Sequence, residues 1–397
     1  MTPRALRPHE ELVVLAAGTT ARRRADAGRV QALLGQVEWD ALHEQLAAQR
    51  LVPLLGSRLL ELAGARAPAA FADAVAAESE RSQRDGALME LATLRIAAAL
   101  EAAGIANVPL KGPLLARSLH GDPGMRFSRD IDVLVAREDL GRAAAALEPL
   151  GWRRERRAGD PVLHLVLTHR SGLPEVELHW RVHWYETEFS ASALARARPG
   201  LDGVRRLHAE DELAALLLFH ARDGFAGLRH PIDAAAWWDA HAGPPGVLAL
   251  APIALEHPGL ARALCASAAV LDALVGVPAD RLLPGAARPA WGARRAVALA
   301  NPLMHGKPQQ ITAEITLVDG LLAPAGQRAA FVRRRVLVGP DELPPGTARR
   351  SVVLARAEHV LRVLRRLALA LVRPRARPAR QAARVPAVHP CPSRGRR

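Results

Sequence analysis

The sequence predicts an α+β protein with a small mixed β-sheet between N- and C-terminal helical regions. Three observations lead there. Ala, Leu and Arg dominate the 397 residues and aromatics make up only 4%, a composition that favours helices. β-branched runs bounded by turn residues are concentrated between Ile105 and Trp184. On both sides of that stretch, apolar residues recur at helical spacing. The expected divisions are a helical region over 1–104, an α/β core over 105–208 and a second helical region over 209–345. A basic amphipathic helix over 346–372 and a disordered Arg/Pro-rich tail over 373–397 complete them.

In the first region Glu10–Ala17, Arg29–Leu34 and Asp40–Gln49 have helical spacing. Leu51-Val52-Pro53-Leu54-Leu55 leads another helix to Ala63, and Pro68 opens a further segment. Ser79–Ala103 predicts a long helix with Leu88, Leu91, Leu94, Ile96 and Leu100 on one stripe against the sheet. Gly104 ends it at a C-cap position.

The core opens with the apolar run Ile105–Leu110, then turns at Lys111-Gly112-Pro113. Leu114–His120 is helical, Gly121-Asp122-Pro123-Gly124 breaks it, and Asp130-Ile131-Asp132-Val133-Leu134-Val135 forms a strand with an acidic start. Alternate strand residues share a face about 6.6 Å apart, so Asp130 and Asp132 stand together. Carboxylates that close repel, and a divalent cation between them relieves the repulsion. Arg137–Leu150 then reads as a helix. Val162–His169 and Glu175–Trp184 form a hairpin about Ser171-Gly172-Leu173-Pro174, with Glu177, His179 and Arg181 on one face of the return strand.

These segments resemble the uncharacterised nucleotidyltransferase family of bacterial proteins, within the DNA-polymerase-beta-like nucleotidyltransferase superfamily. The likeness rests on Leu110-Lys111-Gly112, on Arg126 four residues before Asp130-Ile131-Asp132, and on Glu177-Leu178-His179-Trp180. It implies a sheet of nucleotidyltransferase type and transfer of a nucleoside monophosphate from a nucleoside triphosphate (NTP) to an unidentified acceptor. Asp130, Asp132 and Glu177 would be the catalytic and metal-holding residues, with Mg²⁺ or Mn²⁺ as the ion. Lys111, Gly112, Arg126 and His179 would contact the nucleotide. His220, Arg229 and Asp233 resemble a further family arrangement, read either as a substrate contact or as a buried salt bridge between two helices. Lys111-Gly112 stands where many superfamily members carry Gly-Ser. The alternative is therefore a catalytically inactive nucleotide- or partner-binding protein on the same fold.

Other classes are disfavoured. His164, His169, His179 and His183 cluster in the hairpin, but their spacing fits no compact zinc motif. Cys265 and Cys391 have neither metal nor redox spacing, no apolar run reaches 18 residues, and no signal-peptide pattern follows Met1. The cytoplasm is the expected compartment.

Beyond Ala209 the spacing predicts helices over Asp211–His220 and His230–His241, a linker at Gly243-Pro244-Pro245-Gly246, and further helices to Ala300, with Leu260–Val275 in the core. Arg333-Arg334-Arg335 precedes the basic helix Arg350–Val372. Eight arginines and no acid lie in Arg373–Arg397, more than half of the net +14 charge. That tail predicts weak, nonspecific contact with nucleic acid or an anionic membrane surface.

Overall fold

The computed structural model describes residues 6–154, 163–186, 188–200, 203–241, 249–284 and 291–331, together with Leu361 and Arg365. Arg333-Arg334-Arg335, Gly243-Pro244-Pro245-Gly246, Cys391 and the Arg373–Arg397 tail lie outside the described residues. So does the basic helix Arg350–Val372, except for helical, exposed Leu361 and Arg365.

The N-terminal helices are α1 (Pro8–Ala16), α2 (Thr20–Ala25), α3 (Ala27–Leu34), α4 (Trp39–Ala48) and α5 (Ser57–Ala63). A wide π-type turn over Val52–Gly56 precedes α5. Pro68 then caps α6, a continuous helix of 34 residues, Ala69–Ala102. The sequence predicts two segments over this stretch, and the structure joins them. No residue inside it removes a backbone N–H, so nothing breaks the helix.

The face that α6 buries matches the expected stripe only in part. Leu88 and Leu91 are 49% and 56% exposed. Ile96 and Leu100 are buried as expected, and Met89 and Ala92 take the place of the two leucines, all four packed with Ile131, Val133 and Val135 of the sheet. Steps of three and four residues keep these four on one line, and Leu88 and Leu91 fall on its shoulder.

The main sheet has five strands in the order β1-β2-β5-β4-β3. They are β1 (Asn107–Pro109), β2 (Asp130–Val135), β3 (Trp152–Arg154), β4 (His164–His169) and β5 (Glu175–His179). β2 and β5 are parallel, while β1–β2, β4–β5 and β3–β4 are antiparallel, so the sheet is mixed as expected. Edge strand β3 is not foreseen, because Trp152-Arg153-Arg154 carries no alternation long enough to register. Helix α7 (Pro113–His120) joins β1 to the turn before β2, and α8 (Leu140–Leu147) follows β2. A short helix α9 (Phe189–Arg196) and a two-stranded sheet, β6 (Arg198–Pro199) with β7 (Arg205–Arg206), are likewise unforeseen.

Helices α10 (Ala209–Arg222), α11 (Arg229–His241), α12 (Ala251–Glu256) and α13 (Ala261–Val275) follow, then α14 (Ala279–Leu282), α15 (Trp291–Val297) and α16 (Pro308–Leu322). Leu213–Phe219 and Ala263–Val275 share one large apolar core with the N-terminal helices. The second cluster lies between α6, α8 and the sheet. No helix among the described residues is long and apolar enough to cross a membrane.

Candidate metal and nucleotide site

The parallel β2–β5 pairing sets Asp132 opposite Glu177 and Leu134 opposite His179. Ile131, Val133, Val176 and Leu178 point into the apolar core, so period-two alternation sends the acids to the opposite face. Asp130, Asp132 and Glu177 each offer an oxygen, and these atoms lie within 4.8 Å of one another.

A lysine and an imidazole are already at hand. Lys111 Nζ stands 3.1 Å from Asp132 Oδ2. His179 Nε2 lies 2.9 Å from Asp132 Oδ1 and 3.1 Å from Glu177 Oε2. Both neighbours are carboxylates, so Nε2 must carry a proton and donate. Burial would lower the His179 pKa, but these two bonds raise it overall. Burial pushes Asp132 and Glu177 upward, yet Lys111 and His179 hold the first well below the usual range, and His179 lowers the second. Asp130 moves the other way, raised by burial and by the charge of Asp132. His164, whose Nδ1 is 3.6 Å from Glu177 Oε2, is lowered to about 4 by burial and by the neighbouring His179.

The residues fit a hard divalent cation. Asp132 Oδ2 is buried and accepts no hydrogen bond despite its ion pair with Lys111. Asp130 makes no ion pair among the described residues. Three carboxylates with a spare buried oxygen form the all-oxygen set that Mg²⁺ and Mn²⁺ prefer. His164, Glu177 and His179 form a second cluster, but the His179 Nε2 proton is committed to the acids. The other two hairpin histidines are elsewhere: His169 Nε2 meets Leu150 O at 2.9 Å, and His183 packs on Tyr185.

Gly112 has φ 94°, a conformation that L side chains rarely adopt, and it leads into Pro113 at the start of α7. An ideal Cβ there would stand 3.6 Å from Ser128 Oγ, so a hydroxyl from another segment overlooks the turn.

Residues 35–276, more than half of the chain, match the family model described as uncharacterised nucleotidyltransferase. The protein belongs to that family. No curated protein and no solved structure matches it. Membership and the acidic cluster together give a nucleotidyltransferase-like function and imply an NTP as substrate.

Arg126 and the His220, Arg229 and Asp233 set can now be placed. Arg126 faces inward: its side chain is 3% exposed, Nε donates to Asp233 Oδ2 at 2.7 Å, and Nη1 donates to Ser128 Oγ at 3.2 Å. Among the described residues, His220, Arg229 and Asp233 form no mutual salt bridge. Asp233 takes Arg126 and His120 Nε2, the latter at 3.3 Å. Burial would raise Asp233, but Arg126 and His120 hold it far below the ordinary range. His220 is buried against Phe225 with neither ring nitrogen hydrogen-bonded, and Arg229 is exposed.

Phe219 and Arg222 join the site without any signal in the sequence. Lys111 Nζ and Arg222 Cζ lie 4.9 and 4.7 Å from the Phe219 ring centroid, and His179 meets the ring edge-on. Phe219 thus packs under Lys111 beside Asp132 and under Arg222, which lies in electrostatic range of Asp132. It sits in an apolar helix run, where only tertiary placement separates it from an ordinary core residue.

Proposed function

We propose that this protein transfers a nucleoside monophosphate from an NTP to an acceptor hydroxyl, in a cytoplasmic setting. The observation that carries this reading is the convergence of Asp130, Asp132 and Glu177 beside Lys111. Asp130, Asp132 and Glu177 would hold Mg²⁺, or Mn²⁺ in its place, and the ion would neutralise phosphate charge. Lys111, Arg222 and exposed Arg229, which lies in electrostatic range of Asp130, balance the remaining triphosphate charge. The α7 amides beyond Gly112 offer donors to phosphate oxygens. Glu177 accepts the acceptor's proton as its oxygen bonds to the α-phosphorus and pyrophosphate leaves. His179 fixes the orientation of Glu177 and Asp132 through its shared Nε2 proton. Arg126 braces the segment entering β2 through Asp233, and its Nη2, buried without a hydrogen-bond partner among the described residues, is the donor it keeps for a nucleotide. The basic tail would add weak, salt-sensitive attraction to nucleic acid or anionic membranes.

One observation favours a second reading. Lys111 and His179 already engage both oxygens of Asp132, as they would in a binding protein that needs no metal. Turnover separates the two. With Mg²⁺, NTPs labelled at the α-phosphate and a panel of hydroxyl-bearing acceptors, label transfer with equimolar pyrophosphate release is expected. NTP binding with no transfer to any acceptor in the panel favours the second reading.

A further inference from the structure

At the opposite end of α7 from Gly112 lies a cavity of about 510 Å³, between the N-terminal helices and α11. That volume is in the range of small-molecule sites. One side is apolar, with Leu54, Leu119, Met125 and Ile232. The other carries Arg23 and Arg58, both half-buried.

Neither guanidinium is paired with a carboxylate among the described residues. Arg58 Nη1 donates to Ala16 O at 2.6 Å, and Arg23 donates to Gly18 O and to Thr20 Oγ1. Asp239 lies in electrostatic range of both arginines, its Oδ2 accepting from Thr20 N and Oγ1 at 2.8 Å each, and Glu61, within range of Arg58, is exposed at the rim. Arginines withdrawn from water are ordinarily matched by an anion. Here no carboxylate among the described residues reaches either guanidinium: burial pulls the Arg58 pKa down to about 10, repulsion from Arg23 adds to it, and Asp239 and Glu61 offset only part of the fall.

We infer that this cavity binds a small organic anion, an apolar body bearing a carboxylate or phosphate monoester that Arg23 and Arg58 clasp. Arginine presents a planar fork of donors matched to such groups. His120, which lines the cavity, donates to Asp233, the partner of Arg126. The bound molecule would therefore rest against the same buried ion pair that braces the approach to β2.

The site stands apart from the nucleotidyl-transfer reading, so its test excludes metal and nucleotide. In EDTA, the probe is phenyl phosphate, followed by calorimetric titration, with benzoate as the carboxylate counterpart and benzyl alcohol as the uncharged control. Wild-type protein should bind at least one of the two anions below about 10 mM and not the alcohol. Arg58→Gln and Arg23→Gln should each weaken binding about tenfold or more, as expected for loss of a charged hydrogen-bonding partner. Ala236→Leu, which fills the cavity and leaves both arginines in place, should abolish it. Asp130→Asn combined with Asp132→Asn should leave it intact. No binding of either anion by folded wild-type protein would overturn the inference. So would unchanged affinity in the arginine variants, or loss of binding in the aspartate pair.

Discussion

Glu177 within β5 and Lys111 just beyond β1 face the same cluster, and their substitutions should fail differently. Glu177→Gln keeps size and part of the hydrogen bonding but cannot take a proton, so turnover should fall about 10²–10⁴-fold while NTP affinity changes less. Lys111→Ala should mainly raise KM, since a charge on the phosphates acts in ground and transition states alike. Steady-state kinetics on both variants checks this, and wild-type turnover in Glu177→Gln would leave the residue an ordinary strand glutamate. Deeper in, Asp233→Ala strands the buried Arg126 guanidinium and should cost about 3–5 kcal/mol in urea unfolding. Asp233 is held ionised in the folded state, so its contribution is complete above about pH 4 and fades as pH falls. The acid limb of stability should flatten in Asp233→Asn. Of these residues, Asp130, Asp132 and Glu177 are legible because strand alternation fixes which side chains share a face. The Asp233 partner of Arg126 is not legible in the sequence, because a motif arginine looks alike whether it meets a phosphate or a buried aspartate 107 positions away.

At the scale of elements, α6 meets the Pro123–Met125 turn backbone to backbone. A Cβ on Gly86 would stand 2.5 Å from Gly124 N, and one on Gly124 would stand 2.5 Å from Gln83 Cα. Ser82 Oγ donates to Gly124 O at 2.6 Å across the same contact. In an isolated helix Gly86→Ala would gain about 1 kcal/mol. Here overpacking against rigid backbone outweighs that gain, and a net loss of about 1–2 kcal/mol is expected. Gly141→Ala in α8, with nothing near its Cβ, should be neutral or slightly stabilising by the same urea titration. The strands β2, β4 and β5 and helices α7, α10 and α13 can be read from the chain, because each buries one face along a regular period. The mixed strand order cannot, since it depends on a parallel β2–β5 pairing between segments 45 residues apart. Ile96 and Leu100 of the inner stripe of α6 are legible, but Met89 and Ala92 are hidden for a related reason: methionine and alanine give little periodic signal.

For the whole molecule, charge is unevenly placed. Deleting Arg373–Arg397 removes eight arginines and lowers the formal charge from +14 to +6. Binding to nonspecific DNA should weaken and its salt slope should flatten, because the shortened chain neutralises fewer phosphates. Equal DNA affinity at low salt in the truncated chain would place the basic contact elsewhere. The central claim, that the β2–β5 carboxylates hold a cation that in turn holds a triphosphate, rests on one comparison above all. It is calorimetric titration of an NTP into wild-type protein and into the Asp130→Asn/Asp132→Asn double variant, with and without Mg²⁺. Binding that needs Mg²⁺ in the wild type and is lost in the folded double variant is the predicted result. Equal affinity in the double variant, or wild-type affinity indifferent to Mg²⁺, would contradict it.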